Sequence, residues 1–369
     1  MTTGNVIQMS SLADDIDAER VIAAQAGLVV HDAESLNCET PPALLGGGVT
    51  PTAQFYRRSH VPAPALDASA WRLDVRGLVR RPLNLSLHDM TQLPAETAVV
   101  TLECAGNGRT RFRPQAPGVQ WGFGAAGTAE WTGPLLADVL ARAGVEPDAS
   151  EVVFGGADSG AVDGLPHSIR FERSLPVRDA MESGAMLAYA MNGQPLPARH
   201  GYPLRLVVPG WYAVASVKWL TDIRVVAEPF RGFFQDTHYV YEWDRGGIRV
   251  REPISLMQVR AVITRPATGR ELARGTMTVR GVAWSGAAPI TRVDVSVADG
   301  SWQKARLIGM PAANGWQQWE LLASGLRPGE TRIRARASDL AGRVQPEQPE
   351  WNALGYAANF IHEVRVRLH

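Results

Sequence analysis

Several absences bound this chain of 369 residues. It has only two cysteines, Cys38 and Cys104, too few for a disulfide framework. No apolar run approaches the ~18 residues needed to span a bilayer. Lys plus Arg and Asp plus Glu both number 37, so the formal net charge is zero. That removes the basic field by which proteins hold nucleic acid or an anionic membrane surface. There is no internal repeat, no low-complexity run and no Cys-x-x-Cys-His haem-attachment segment. Residues 1–22 are polar and acidic, without a basic stretch leading into an apolar one. No twin arginine precedes a hydrophobic segment, since Arg57-Arg58 and Arg80-Arg81 lie too far in. The chain as written is therefore expected in the cytoplasm, or in the periplasm if a leader was removed.

What is present is enough apolar residue, 45%, to bury two cores. Residues 1–35 read as a tail with a short helix over 14–26. From residue 36 to 250 strands and helices mix. Residues 71–79 alternate as a strand. Leu135, Leu136, Val139 and Leu140 mark an amphipathic helix, with Pro134 near its start and Gly144 at its end. Residues 151–154 and 204–208 read as buried strands. After Pro253 the helical pattern nearly disappears. Val293, Val295 and Val297 alternate with polar residues and Asp299-Gly300 turns the chain; Ile333, Ala335 and Ala337, then Val364, Val366 and Leu368, repeat the pattern. This spacing predicts a β-sandwich over 251–369.

Two segments carry chemistry. In Val99-Val100-Thr101-Leu102-Glu103-Cys104-Ala105-Gly106-Asn107-Gly108-Arg109, a β-branched run ends at a thiol among small residues. Arg109 and Arg111 would favour its thiolate, the metal-ligating form. The plain alternative is a small buried hydrophobe. In residues 191–205, three prolines and two glycines fix a loop that could hold His200 and Arg205 toward a ligand. The plain alternative there is a turn whose histidine caps a carbonyl. Lys218 lies in an apolar stretch beyond it, where a lone lysine is ordinarily a solvated charge. Gly122-Phe123-Gly124-Ala125-Ala126-Gly127 has the spacing of a dinucleotide fingerprint but lacks the flanking strand and helix, so it reads as a Gly-rich loop.

The cysteine segment resembles the cysteine loop of the sulfite oxidase family of molybdenum enzymes, in which Cys-Ala-Gly-Asn-Arg-Arg supplies the one protein thiolate on molybdenum. Gly108 stands in the first arginine position; Arg109 keeps the second. Further matches are Asn192-Gly193-Gln194-Pro195-Leu196-Pro197 with His200-Gly201-Tyr202-Pro203, Arg205 and Val217-Lys218-Trp219-Leu220. Others are Phe55-Tyr56-Arg57-Arg58-Ser59-His60-Val61-Pro62 after Thr50-Pro51-Thr52, Gly155-Gly156-Ala157-Asp158-Ser159, and Trp121 with residues 128–133. The resemblance runs from about residue 37 to the end, including Trp351-Asn352-Ala353-Leu354-Gly355-Tyr356.

The resemblance implies a mixed α+β molybdopterin-binding domain over 36–250, then an immunoglobulin-like sandwich that dimerises. It implies Cys104 as the metal ligand. Tyr56, Arg57, Arg58, Ser59, His60, Asp158, His200, Arg205, Ser216, Val217 and Lys218 would hold the pterin and its phosphate. A soft thiolate suits a metal already bound by dithiolene sulfur. Arg58 and Arg109 would face an anionic substrate, and Tyr239 aligns with the family's active-site tyrosine, Tyr241 being the substitute. A third family arginine falls at Leu354. The implied reaction is oxygen-atom transfer to sulfite or a related sulfur compound, with electrons passed to a separate cytochrome or small-molecule acceptor. The alternatives are a sulfoxide or nitrate reductase of the same cofactor, or a non-enzymatic binding protein with a sandwich partner domain.

Overall fold

The computed structural model describes residues 20–32, 36–162, 164–310 and 313–369. Residues 20–25 are helical, and the rest of the helix expected over 14–26 lies outside the described residues. Strand Val29–Asp32 then pairs antiparallel with Asn37–Glu39, so ordered structure crosses the expected boundary at 36. Cys38 lies in this pair and is fully buried against Ala23 and Leu28.

The mixed half holds two larger sheets. One has five strands in the order Leu83–Ser86, Arg72–Gly77, Leu220–Val226, Glu151–Gly160, Ile169–Pro176. Arg72–Gly77 is parallel to Leu220–Val226 and the other pairs are antiparallel. Leu73, Val75, Val152, Phe154 and Ile223 bury one face of it against Leu136, Val139 and Leu140 of helix Leu136–Ala143. That helix ends as expected: Gly144 adopts φ 75° and its N–H bonds back to the Leu140 carbonyl. The strand expected over 151–154 continues to Gly160, because Gly155 and Gly156 carry no hydrophobic signal although the ladder runs through them.

The second sheet has the order Gln194–Pro195, Ala190–Met191, Ala126–Gly133, Glu96–Glu103. Asn192 (φ 51°) and Gly193 (φ 72°) make the hairpin turn at its edge. Cys104 follows the last residue of strand Glu96–Glu103. The Gly-rich run 122–127 feeds directly into strand Ala126–Gly133 and opens no helix. Its glycines serve close packing: a Cβ on Gly124 would lie 1.8 Å from the Thr40 carbonyl oxygen.

After Pro253 the described residues form two stacked sheets and no helix. Their orders are Arg260–Arg265, Gly275–Trp284, Gln317–Leu326, Arg306–Ile308 and Glu271–Leu272, His362–Leu368, Gly329–Asp339, Ile290–Val297, Gln303–Lys304. The alternating residues Val293, Val295, Ile333, Ala335, Val364 and Val366 face inward together. The turn after Val297 is one residue earlier than expected. Ala298 and Asp299 take positive φ, and Gly300 closes the turn by bonding to the Val297 carbonyl. Between the halves lies a third apolar core, which unites Tyr212 and Ile254 with Val262, Val282, Trp284 and Tyr356. No helix among the described residues is long and apolar enough to cross a membrane.

Candidate active site

Cys104 sits where the two halves meet. Its N–H bonds to the Ala125 carbonyl at 2.8 Å, and Asn107 N–H closes the following turn on the Cys104 carbonyl at 2.9 Å. The sandwich holds this loop from behind. Arg260 and Glu103 form a fully buried ion pair at 2.8 Å. Trp284 Nε1 donates to the same carboxylate at 2.8 Å, and Arg260 donates to the Asn107 carbonyl at 3.1 Å. Gly108 is left-handed, at φ 87°, and a Cβ there would lie 2.5 Å from the Ala358 carbonyl oxygen. This explains the glycine at a position where the family loop has arginine. Gly108→Arg should cost at least about 1–2 kcal/mol of stability from the left-handed backbone alone, read by urea unfolding; an unchanged midpoint would contradict this packing.

Two cavities share a wall at Cys104. The first, of about 70 Å³, is lined by Tyr56, Arg57, Arg58, Ser59, His60, Asp158, His200, Arg205, Ser216, Lys218 and Tyr239. The second, of about 320 Å³, is lined by Arg109, His238, Leu354 and Tyr356 among others. Arg58, His60, Cys104 and Tyr239 belong to both. Tyr239 rather than Tyr241 is at the site: its hydroxyl lies 2.8 Å from His60 Nε2, whereas Tyr241 stacks on Trp243 beside a separate cleft.

The first cavity is a cationic, donor-rich pocket. Lys218 Nζ donates to Ser59 Oγ at 2.7 Å and lies 4.1 Å from the Trp219 ring centroid. It is buried, not the solvated charge its sequence context allowed, and burial lowers its pKa to about 7 against the pull of Asp158. Burial likewise raises Asp158 to about 6, opposed by Lys218, and its Oδ1 has no partner among the described residues. His200 is both a capping and a lining residue. It bonds the Thr52 backbone, and burial followed by the Arg205 charge pushes its pKa well down. Gly201 is left-handed, at φ 107°, and a Cβ there would lie 3.1 Å from the Cβ atoms of Arg205 and Lys218.

Three expectations need correction. Val217 does not reach the cavity: its side chain is in the main core, and both its backbone groups are bonded, N–H to Ala215 and carbonyl to Leu206. Arg205 lines the cavity, but its guanidinium donates to the His200 and Ser216 carbonyls at 2.9 and 3.2 Å, so it fixes the loop as well as charging it. Arg111 is exposed and does not act on Cys104. Burial raises the thiol's pKa, with Arg58, the Gly106 N–H and Arg109 opposing it in that order. The sequence reading also passed over Arg199 in the first cavity and His238 and Tyr356 in the second. Their adjacency to His200, Tyr239 and the 351–355 segment was the available signal.

No group of three or more His, Cys, Asp or Glu side chains among the described residues could chelate a bare metal ion. One buried thiol beside a cavity rich in cations suits a metal that arrives within an organic phosphate-bearing cofactor. The orphaned Asp158 oxygen offers an acceptor for a heterocycle's N–H groups.

Comparison with known proteins agrees with that chemistry. Residues 60–234 match the oxidoreductase molybdopterin binding domain, and residues 251–369 match the Mo-co oxidoreductase dimerisation domain. Mitochondrial sulfite oxidase of Mus musculus is 37% identical over 92% of this chain and 66% of its own length. Sulfite oxidase of Arabidopsis thaliana is 33% identical over 92% of this chain and 94% of its own. The chain belongs to the sulfite oxidase family of molybdopterin oxidoreductases. It spans slightly under two thirds of the mammalian members' length. The fold of this family member is also that of the sulfane dehydrogenase SoxCD from Paracoccus pantotrophus, with TM-score 0.82, 27% identity and coverage of 99% and 93% of the two chains.

Proposed function

We propose that this family member binds the molybdenum cofactor in the first cavity and oxidises sulfite or a related sulfur compound in the second. The carrying observation is that Cys104 lies in the wall shared by a cavity lined with Arg57, Arg199, Arg205 and Lys218 and one lined with Arg58 and Arg109. In this reading residues 36–250 are the catalytic unit and 251–369 the dimerisation unit of a homodimer, which the match to a dimerisation domain supports. The sulfite oxidases and the sulfane dehydrogenase among its relatives favour a sulfur oxidase over a nitrate or sulfoxide reductase. A buried thiol and orphaned carboxylate facing a cavity argue against a binding module.

When bound, the cofactor supplies two-electron oxygen-atom transfer, the oxygen coming from water. The chain's own residues do the rest. Lys218, Ser216, Arg57 and Arg199 hold the phosphate by charge-assisted hydrogen bonds. Asp158 and His200 read the pterin edge. Arg58 and Arg109 attract the anionic substrate. Tyr239 Oη and His60 Nε2 share a proton at 2.8 Å, and burial, then Arg58, holds His60 well below its usual pKa and so neutral. Electrons leave to an acceptor outside these 369 residues. The choice of cytoplasm or periplasm follows that partner.

Losing one charged hydrogen bond to phosphate costs roughly 1.5–3 kcal/mol. Lys218→Met should therefore lower cofactor content per folded chain, and Arg205→Met should lower it through the loop that Arg205 fixes, with a loss of stability because two carbonyls lose their donor. Equal cofactor content in wild type and both variants would contradict the anchoring roles. The activity itself is tested by turnover of sulfite with ferricyanide on molybdenum-loaded protein. Steady reduction supports the reading, and none with sulfite, or with the sulfinate considered below, overturns it.

A further inference from the structure

The second cavity is larger than a small inorganic oxyanion needs, and part of its wall is apolar. At about 320 Å³ it falls within the range for organic ligands. Its described lining includes Leu354, Val119, Val162, Phe233, Trp121 and Pro117, and among the described residues no carboxylate. The positive groups are Arg58 and Arg109, and both are largely engaged. Arg109 spends its Nε, Nη1 and Nη2 on the carbonyls of Gly355, Val119 and Leu354 at 3.1, 2.9 and 3.2 Å. Arg58 Nη1 bonds the Ser59 carbonyl, and its Nη2 lies 3.0 Å from His60 Nδ1. The imidazole of His238 adds no charge, since burial and then Arg58 lower its pKa to about 4. The wall thus offers two cations with few spare donors, neutral hydroxyl and imidazole groups, and a wide apolar flank. A fully charged small oxyanion would leave that flank wet. A substrate with one charged sulfur headgroup and an organic substituent would cover it.

We infer that this cavity accepts a monoanionic organic sulfinate in preference to free sulfite, Leu354 lying where the substituent packs. The inference rests on the oxidoreductase reading above. The sulfinate sulfur, which carries a lone pair, gains one oxygen derived from water and becomes a sulfonate. One S–O bond forms and the C–S bond stays intact. Two protons are released, and two electrons pass singly to the separate one-electron acceptor, so ferricyanide is reduced two-to-one with substrate.

The test has a binding arm and a turnover arm. Benzenesulfonate and sulfate, the unreactive products, are titrated calorimetrically into molybdenum-loaded wild type and Leu354→Arg. Wild type should bind benzenesulfonate at least tenfold more tightly than sulfate, which corresponds to about 1.4 kcal/mol, and Leu354→Arg should shrink that ratio. In turnover with ferricyanide, kcat/KM for benzenesulfinate should exceed that for sulfite, and Leu354→Arg should lower the sulfite KM roughly tenfold. Sulfate binding as tightly as benzenesulfonate to wild type would overturn the inference. So would a sulfite KM already in the low micromolar range and unimproved by Leu354→Arg. If loaded protein oxidised neither compound, the activity reading would fall, and the wild-type binding ratio, which does not depend on turnover or on the variant, would still decide the cavity's preference.

Discussion

Cys104→Ser should leave the chain folded and most of its cofactor in place, yet reduce turnover by orders of magnitude. The substitution is nearly isosteric, and the backbone bond from residue 104 to the Ala125 carbonyl does not involve the side chain. In the proposed reading the pterin and phosphate are held by Tyr56 to His60, Asp158, His200 and Lys218, which the change does not touch. What is lost is the soft sulfur ligand, which a hard hydroxyl does not replace. A loss on the order of a thousandfold corresponds to about 4 kcal/mol of transition-state stabilisation. Sulfite–ferricyanide turnover normalised to molybdenum content measures it, and full turnover in the variant would refute the ligand role. Cys38→Ser is the informative control. Cys38 is fully buried in a strand, away from both cavities. Placing a hydroxyl there should cost about 1–3 kcal/mol of stability, while turnover per molybdenum stays unchanged.

Arg260→Met should be the most destabilising single change behind the site. Arg260 and Glu103 are wholly shielded from solvent and 2.8 Å apart. Removing the guanidinium strands a buried carboxylate with only Asn107 Nδ2 and Trp284 Nε1 as donors. Breaking a buried pair from one side costs about 3–5 kcal/mol, mostly as the penalty of the uncompensated charge. The same change frees the Asn107 and Ala358 carbonyls, so the Cys104 loop loses part of its attachment to the sandwich. Urea unfolding of the cofactor-free protein reads the stability, and metal content reads the loop. A second substitution, Glu103→Gln, should restore part of the loss, because it removes the stranded charge. A cost under about 1 kcal/mol for Arg260→Met would mean that water reaches the pair.

The legible part of this molecule was its local pattern. The alternation in Val293, Val295 and Val297 and the helix signals around Pro134 and Gly144 are nearest-neighbour information, and the structure follows them. Turn placement slipped by one residue at Ala298 because Asp-Gly draws the eye, whereas the positive φ falls on Ala298 and Asp299. Most of the expected site residues reach one cavity, some from loops, as Tyr56 to His60, Cys104, His200 and Lys218 do, and others from strands, as Asp158 and Arg205 do. Val217 was drawn in by its neighbours in the motif, but it lies in the irregular segment between the 3-10 turn Ala213–Ala215 and strand Leu220–Val226, and its side chain is in the main core. The Glu103–Arg260 staple was not legible at all. Arg260 bonds across 153 positions to Asn107, and no local pattern encodes a partner at that distance. The same holds for the Arg109 contacts to Leu354 and Gly355, which turn an apparent substrate arginine into a partly structural one.

The central claim is that the Cys104 sulfur binds the molybdenum of a cofactor seated in the first cavity. X-ray absorption at the molybdenum edge tests it most directly, by counting sulfur neighbours in loaded wild type and in Cys104→Ser. The account predicts one fewer sulfur ligand in the variant at comparable metal content. The same sulfur count in both proteins would contradict it.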